Sequence, residues 1–257
     1  MKPAADEIIF GIRAVIEALD AGRELEKVLL RNSASKSEIF RDLKRRLKET
    51  GTPFQAVPNE KLNAITRKNH QGVVAYVASI SYAEIDYILP GIFSRGETPL
   101  LLILDHVTDV RNFGAIARTA ECAGVHAIIL PFKGAARITG EAIKTSAGAL
   151  HRIPVCRHPN LRELTGYLKQ SGLKIVGASE QAGQSLFDAD LNLPVAIVMG
   201  AEDKGISEPL LGEIDLLLSI PIMGSIESLN VSVATGIVLY ETIRQRRLPV
   251  TPGGSVG

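Results

Sequence analysis

The 257-residue sequence lacks most of what would mark a membrane, secreted or metal-bound protein. Apolar runs such as PLLLIL (99–104) and VAIVM (195–199) fall far short of the roughly 20 residues that a membrane-spanning helix needs, so no membrane contact is expected. Asp6 and Glu7 come before any apolar stretch, which does not fit a secretory signal and points to the cytoplasm. Cys122 and Cys156 are too few and too far apart for a disulfide framework or a CxxC site, and both read as small buried hydrophobes. The five histidines show no HxxxH-type spacing, so no metal is expected. Two nucleotide-binding signatures are also missing. No GxGxxG follows an expected strand, and Ile206 stands where a phosphate-cradling P-loop requires lysine.

Charge of one sign is scarce too, with a net of +1 for the whole chain. It is unevenly placed: residues 1–80 hold 14 Lys and Arg against 10 Asp and Glu, while residues 81–257 hold 15 against 18. A basic front part hints at an acidic partner. With 46% hydrophobic and 22% charged residues the composition is that of a globular chain, long enough for two domains.

Helical spacing of Ile12, Val15, Ile16 and Leu19 predicts a short helix closed by Gly22. A strand follows at 27–30, then a helix over 35–51 with Ile39, Leu43 and Leu47 on one face. Its other face carries Lys36, Arg41, Lys44, Arg45 and Lys48, either a solvated face or a phosphate-contacting one. Residues 70–79 form a further strand, rich in valine. Pro90, Gly91, Gly96 and Pro99 loosen the pattern, so 1–80 is expected as one α/β domain and 81–98 as a linker. Beyond it strands (100–105, 126–130, 173–179, 195–200, 216–221) alternate with helices (112–124, 140–149, 160–171, 229–245). Continuous apolar strands between helices predict a parallel sheet covered on both faces over 99–247, followed by a flexible tail at 248–257.

In such sheets ligands bind beyond the carboxyl ends of strands, and three of these ends are polar and glycine-rich. In the first, Asn112 stands where a helix begins and can cap it, Gly114 permits a close backbone approach, and Arg118 is a lone cation in a small apolar helix. Arg118 either pairs with Glu121 or Asp105, or offers its guanidinium to a phosphate or hydroxyl. In the second, Glu202 sits between Gly200 and Gly205, as a turn residue or as a site carboxylate. The third is SIESLNVS: Ser228 can cap the last helix, which leaves Asn230 and Ser232 either to satisfy backbone ends or to bind a molecule resting on Ile220, Met223 and Leu229.

These segments, N-x-G-x-x-x-R (112–118), G-x-E-x-x-G (200–205) and I-P-x-x-G-x-x-x-S-L-N-V-S (220–232), resemble in order and spacing the three motifs of the SpoU (TrmH-type) branch of the SPOUT RNA methyltransferases. FGIRAVIEAL and HQGVVAYV look like the substrate-binding domain of the members that methylate large-subunit ribosomal RNA, and KTSAGALHRIPV (144–155) also fits. Asp203, Glu227 and Arg13 depart from the residues usual in that family. The resemblance implies an α/β chain: a small L30e-like RNA-binding domain, then a SPOUT domain with a parallel sheet and a deep trefoil knot. It implies a homodimer through the C-terminal domain and methyl transfer from S-adenosylmethionine to a guanosine 2′-hydroxyl of 23S rRNA. A transfer-RNA substrate and a non-catalytic rRNA-binding module are the alternatives. By matching positions, Gly200, Ile220 and Leu229 would hold the cofactor, with Met223 and Ser232 beside them. Arg118 would orient the ribose and stabilise oxyanion charge, supported by Asn112, Glu202, Ser228 and Asn230, with Glu202 a candidate proton acceptor.

Overall fold

The computed structural model describes residues 8–32, 37–226 and 228–247. The expected tail at 248–257, Lys36 and Glu227 lie outside these. The chain divides into two units, one running to Tyr82 and including 137–140, the other comprising Ala83–Ala136 and the chain from Glu141 onward.

The first unit contains β1 (Ile8–Phe10), α1 (Ile12–Asp20), β2 (Leu25–Arg31), α2 (Glu38–Glu49), β3 (Phe54–Val57), α3 (Asn59–Ile65) and β4 (Val73–Val77). Its sheet order is β1-β4-β2-β3, with β4 antiparallel to both neighbours and β3 parallel to β2. Val15, Phe40, Leu43 and Leu47 of α1 and α2 are buried against Val28, Leu30, Val73 and Ala75 on one face. Leu62 of α3 packs with Leu29, Val57 and Val74 on the other. The side chains of a strand alternate between its two faces, so each face of β2 and β4 has its own apolar set.

The second unit contains α4 (Ile85–Ser94), β5 (Leu100–Leu104), α5 (Val110–Cys122), β6 (Ala127–Pro131), α6 (Gly140–Thr145), β7 (Val155–His158), α7 (Leu161–Gln170), β8 (Lys174–Ala178), β9 (Gln184–Ser185), β10 (Val195–Met199), α8 (Glu208–Leu211), β11 (Leu216–Ser219) and α9 (Val231–Arg247). Seven parallel strands run in the order β7-β6-β5-β10-β8-β11-β9. Every residue of β5, β6 and β10 is buried, which requires cover on both faces and explains their unbroken apolar sequence. The strand β7 and the short elements β9 and α8 went unpredicted, being four residues or fewer, too short to show a period.

The segment 81–98, expected as a linker, instead carries α4. Pro90 inside that helix costs about 3 kcal/mol. Burial of Ile85, Leu89 and Ile92 in the core of the second unit contributes about 2 kcal/mol each, which outweighs it.

At the other end of the unit the Arg246 guanidinium is clamped by four backbone carbonyls. Its nitrogens donate to Thr98 and Pro99 at 2.9 Å, Leu193 at 2.7 Å and Leu191 at 3.3 Å, and burial lowers its pKa. This fastens α9 to the chain leading into β5 and β10. Of the two cysteines, Cys156 is buried as expected and its thiol is pushed up to about 12 by desolvation. Cys122 is exposed instead, because the last residue of α5 lies off the stripe formed by Phe113, Ile116, Ala117 and Ala120.

Candidate active site

Three strand ends meet in the second unit. At the first, α5 is capped by Asp109, whose Oδ1 accepts from the backbone N of Arg111 (2.9 Å) and of Asn112 (2.7 Å). Asn112 is therefore not the cap, as its sequence position had implied. It stands within the first turn with its side chain free to reach elsewhere. Gly114 meets the expectation of a close approach: a Cβ there would lie 2.9 Å from the Ala142 carbonyl oxygen and 2.7 Å from Thr145 Cβ.

At the second end, β10 runs into a tight turn. Ala201 N donates to Gly205 O at 3.0 Å and Gly205 N to Ala201 O at 2.8 Å. Gly205 takes φ +64°, and a Cβ on Gly200 would lie 2.1 Å from the Gly205 carbonyl carbon, so both glycines are demanded by the backbone. Buried Asp105, just past β5, pins the far side of this turn by accepting from Ser207 N at 2.7 Å, and it pairs with His106 Nδ1 at 2.5 Å. It is thus occupied and does not partner Arg118.

At the third end, Asn230 caps α9. Its carbonyl accepts from Ala234 N at 2.9 Å, and its Oδ1 accepts from Ser232 N (2.9 Å) and Ser232 Oγ (2.6 Å). The expected cap, Ser228, is left to line a cleft.

The three ends are joined by side chains. Asn112 Nδ2 donates to Glu202 Oε2 at 3.3 Å, and Asn230 Nδ2 donates to Asn112 Oδ1 at 3.1 Å and towards Glu202 Oε1 at 3.5 Å. Glu202 also belongs to the cleft wall, with Met199, Gly200, Ala201, Gly205, Ile220, Ile222, Ser228, Leu229, Val231, Ala234 and the end of β8 (Ala178, Ser179, Glu180). The cleft encloses about 80 Å³ and holds about 610 Å³ when its open mouth is counted. Apolar walls with carboxylate, hydroxyl and backbone groups at the rim suit a ligand that is part apolar and part polar.

Gly200, Glu202, Ile220, Ser228 and Leu229 are therefore brought together, with Asn112 and Asn230 bonded to Glu202. Three expected residues stand differently. Met223 is 96% exposed and is not part of the cleft wall, because its loop turns outward there. Ser232 spends both its donors on Asn230 inside the first turn of α9. Arg118 is exposed, forms no hydrogen bond or ion pair among the described residues, and does not line the cleft. It lies six residues beyond Asn112, about 9 Å along the helix axis and on another face. Ser179 and Glu180 were missed; their signal was a polar pair directly after the apolar strand β8.

Comparison with known proteins bears on the same segments. Residues 99–240 match the SpoU rRNA Methylase family, and residues 8–83 match the model for RNA 2′-O ribose methyltransferase substrate binding. The chain is 36% identical over 240 residues to the putative TrmH family tRNA/rRNA methyltransferase YacO of Bacillus subtilis (strain 168), covering 93% of this chain and 96% of that one. It is 40% identical over 243 residues to the 23S rRNA (guanosine-2′-O-)-methyltransferase RlmB of Shewanella oneidensis, covering 94% and 98%. Among solved structures, the SpoU methyltransferase AviRb from Streptomyces viridochromogenes in complex with AdoMet aligns with a TM-score of 0.59 and 27% identity, over 93% of this chain and 90% of that one.

Proposed function

We infer the reaction from one premise: this chain belongs to the SpoU rRNA methylase family. It is an S-adenosylmethionine-dependent RNA methyltransferase, and its target is the ribose 2′-hydroxyl of a guanosine in 23S ribosomal RNA. The observation that carries the assignment is the convergence of Asn112, Glu202 and Asn230 at the rim of the Gly200–Ile220–Leu229 cleft.

The cleft fits the cofactor in kind: Ile220, Leu229 and Val231 offer an apolar wall, and the tight Gly200–Gly205 turn leaves backbone rather than side chains along one edge. When bound, S-adenosylmethionine supplies a methyl group made electrophilic by its sulfonium. The protein must then position the nucleophile and take its proton. Asn112 and Asn230 hydrogen-bond the Glu202 carboxylate, to which we assign that proton. A guanidinium is a poor proton acceptor, so we assign Arg118 to holding the ribose and phosphate of the incoming RNA rather than to taking the proton. Its exposure and lack of partners among the described residues leave it available for RNA.

The reading extends to the rest of the molecule. Residues 1–80 bind substrate RNA and the C-terminal domain is catalytic, in keeping with the two family matches. A trefoil knot in the C-terminal domain accords with a sheet in which β10 is inserted between β5 and β8. A homodimer through this domain is supported by exposed Val233 and Tyr240 on α9 and by Met223 and Ile226 in the preceding loop. The cytoplasm is the compartment where such a substrate resides.

The test is tritiated-methyl transfer to 23S rRNA from cells lacking this protein, followed by mapping of 2′-O-methyl positions. One guanosine should be labelled. Label appearing only on transfer RNA would reassign the substrate, and no label on any RNA would end the reading.

A further inference from the structure

The first unit has two basic surfaces that differ in kind. On α2, Asp42 and Glu49 are interspersed among the cations: Arg45 pairs with both, and Arg46 pairs with Asp42 and Asp20. These pairs hold the Asp42 carboxyl below the usual carboxylate range. Arg41, Lys44 and Lys48 remain unpaired among the described residues, with no aromatic side chain on that helix besides buried Phe40.

The α3 side of the sheet is different. The pairing Ile8↔Tyr76 and Phe10↔Val74 sets Phe10 and Tyr76 diagonally across β1 and β4 on one face, and Lys27 lies opposite Tyr76 on β2. Lys68 stands over the Phe10 ring at 5.5 Å, and the Arg137 guanidinium lies over the Tyr76 ring at 4.4 Å. Lys61 extends from α3, which covers the Leu29, Val57 and Val74 part of this face and leaves Phe10 and Tyr76 half-buried. Among the described residues none of these four cations has an acidic partner; Lys27 Nζ donates only to Gln55 Oε1, at 2.8 Å. Burial, then the proximity of Lys61 and Arg137, lowers the Lys27 pKa, as happens where like charges gather without a counter-ion.

We propose that this face is where the first unit holds RNA, with Lys27, Lys61, Lys68 and Arg137 taking phosphates and the Arg137–Tyr76 stack and Phe10 taking bases splayed from a single-stranded segment. Flat rings and guanidinium planes accept unpaired bases, while duplex RNA offers only its backbone and shallow groove. The inference rests on the reading of the protein as an RNA methyltransferase and adds which surface, and which form of RNA, the front unit selects.

Two full-length variants with equal loss of charge separate the possibilities: Lys27→Gln/Lys61→Gln/Lys68→Gln on the proposed face, and Arg41→Gln/Lys44→Gln/Lys48→Gln on α2. Filter binding of deproteinised 23S rRNA is measured across a salt series, with methyl transfer under saturating RNA and S-adenosylmethionine affinity as controls. The first variant should bind RNA at least about tenfold more weakly at moderate salt and flatten the slope of log K against log salt by about 2, with S-adenosylmethionine affinity unchanged. The α2 variant should stay within about twofold of the parent. Equal losses in both, or parental RNA affinity in the first, overturn the proposal while the methyltransferase reading stands. A parent protein that methylates no RNA removes both.

Discussion

Asn230 Nδ2 lies 3.1 Å from Asn112 Oδ1, a bond between the first turns of two helices whose residues are 118 positions apart in the chain. Because Asn230 Oδ1 is already taken by Ser232, the orientation of its amide is fixed, and only its NH2 group can face Asn112 and Glu202. One side chain thereby caps α9 and sets the direction of the site carboxylate.

Asn230→Asp separates these roles. The carboxylate still caps α9, so thermal stability should hold within a few degrees. It replaces a donor with an acceptor facing Glu202, and methyl transfer should fall by about tenfold or more, the loss expected for a hydrogen bond to a charged group. Melting curves beside initial rates decide it; a rate equal to the parent's would remove the Asn230–Glu202 contact from the mechanism.

Arg118 has no partner among the described residues, so its loss should cost the fold little, within about 0.5 kcal/mol. Arg118→Ala should lower turnover by about 100-fold or more and leave calorimetric cofactor affinity unchanged. Near-parental turnover would refute its assignment.

Gly200→Ala should distort the Gly200–Gly205 turn. The added Cβ would sit 2.3 Å from Gly205 O and from Ile206 N, both backbone atoms that cannot rotate aside. Titration calorimetry should show S-adenosylmethionine affinity reduced by about tenfold or more. Unchanged affinity would place the cofactor away from this turn.

Arg246→Met should loosen α9 without touching the cleft. Four carbonyls lose a charged donor, which costs about 3 kcal/mol and about 6–12 °C in a domain of this size. A melting temperature within 2 °C of the parent's would mean that water replaces the guanidinium at no cost.

Thiol titration of the native protein should count one reactive cysteine, Cys122, and denaturation should reveal Cys156 as the second. With its pKa at about 12, the Cys156 thiol carries almost no thiolate at pH 8. Two fast thiols in the native state would show that β7 opens readily.

By itself the sequence determined the succession of elements and the three polar strand ends, because apolar period, helix stops and glycine-bearing turns are local properties. Helix α5 was legible from its spacing, and the Gly200–Gly205 turn from its glycines. The tertiary structure alone decided which polar residue does what. Asp109 rather than Asn112 caps α5, and Asn230 rather than Ser228 caps α9, since a cap depends on where the backbone leaves the helix and several neighbouring residues were chemically able to serve. It decided that Met223 faces outward, that Arg118 is exposed and without a partner among the described residues, and that 85–94 is a helix despite Pro90. In each case the deciding energy comes from partners far along the chain: a core that buries Ile85, Leu89 and Ile92, and a carboxylate 90 residues from the amide that binds it.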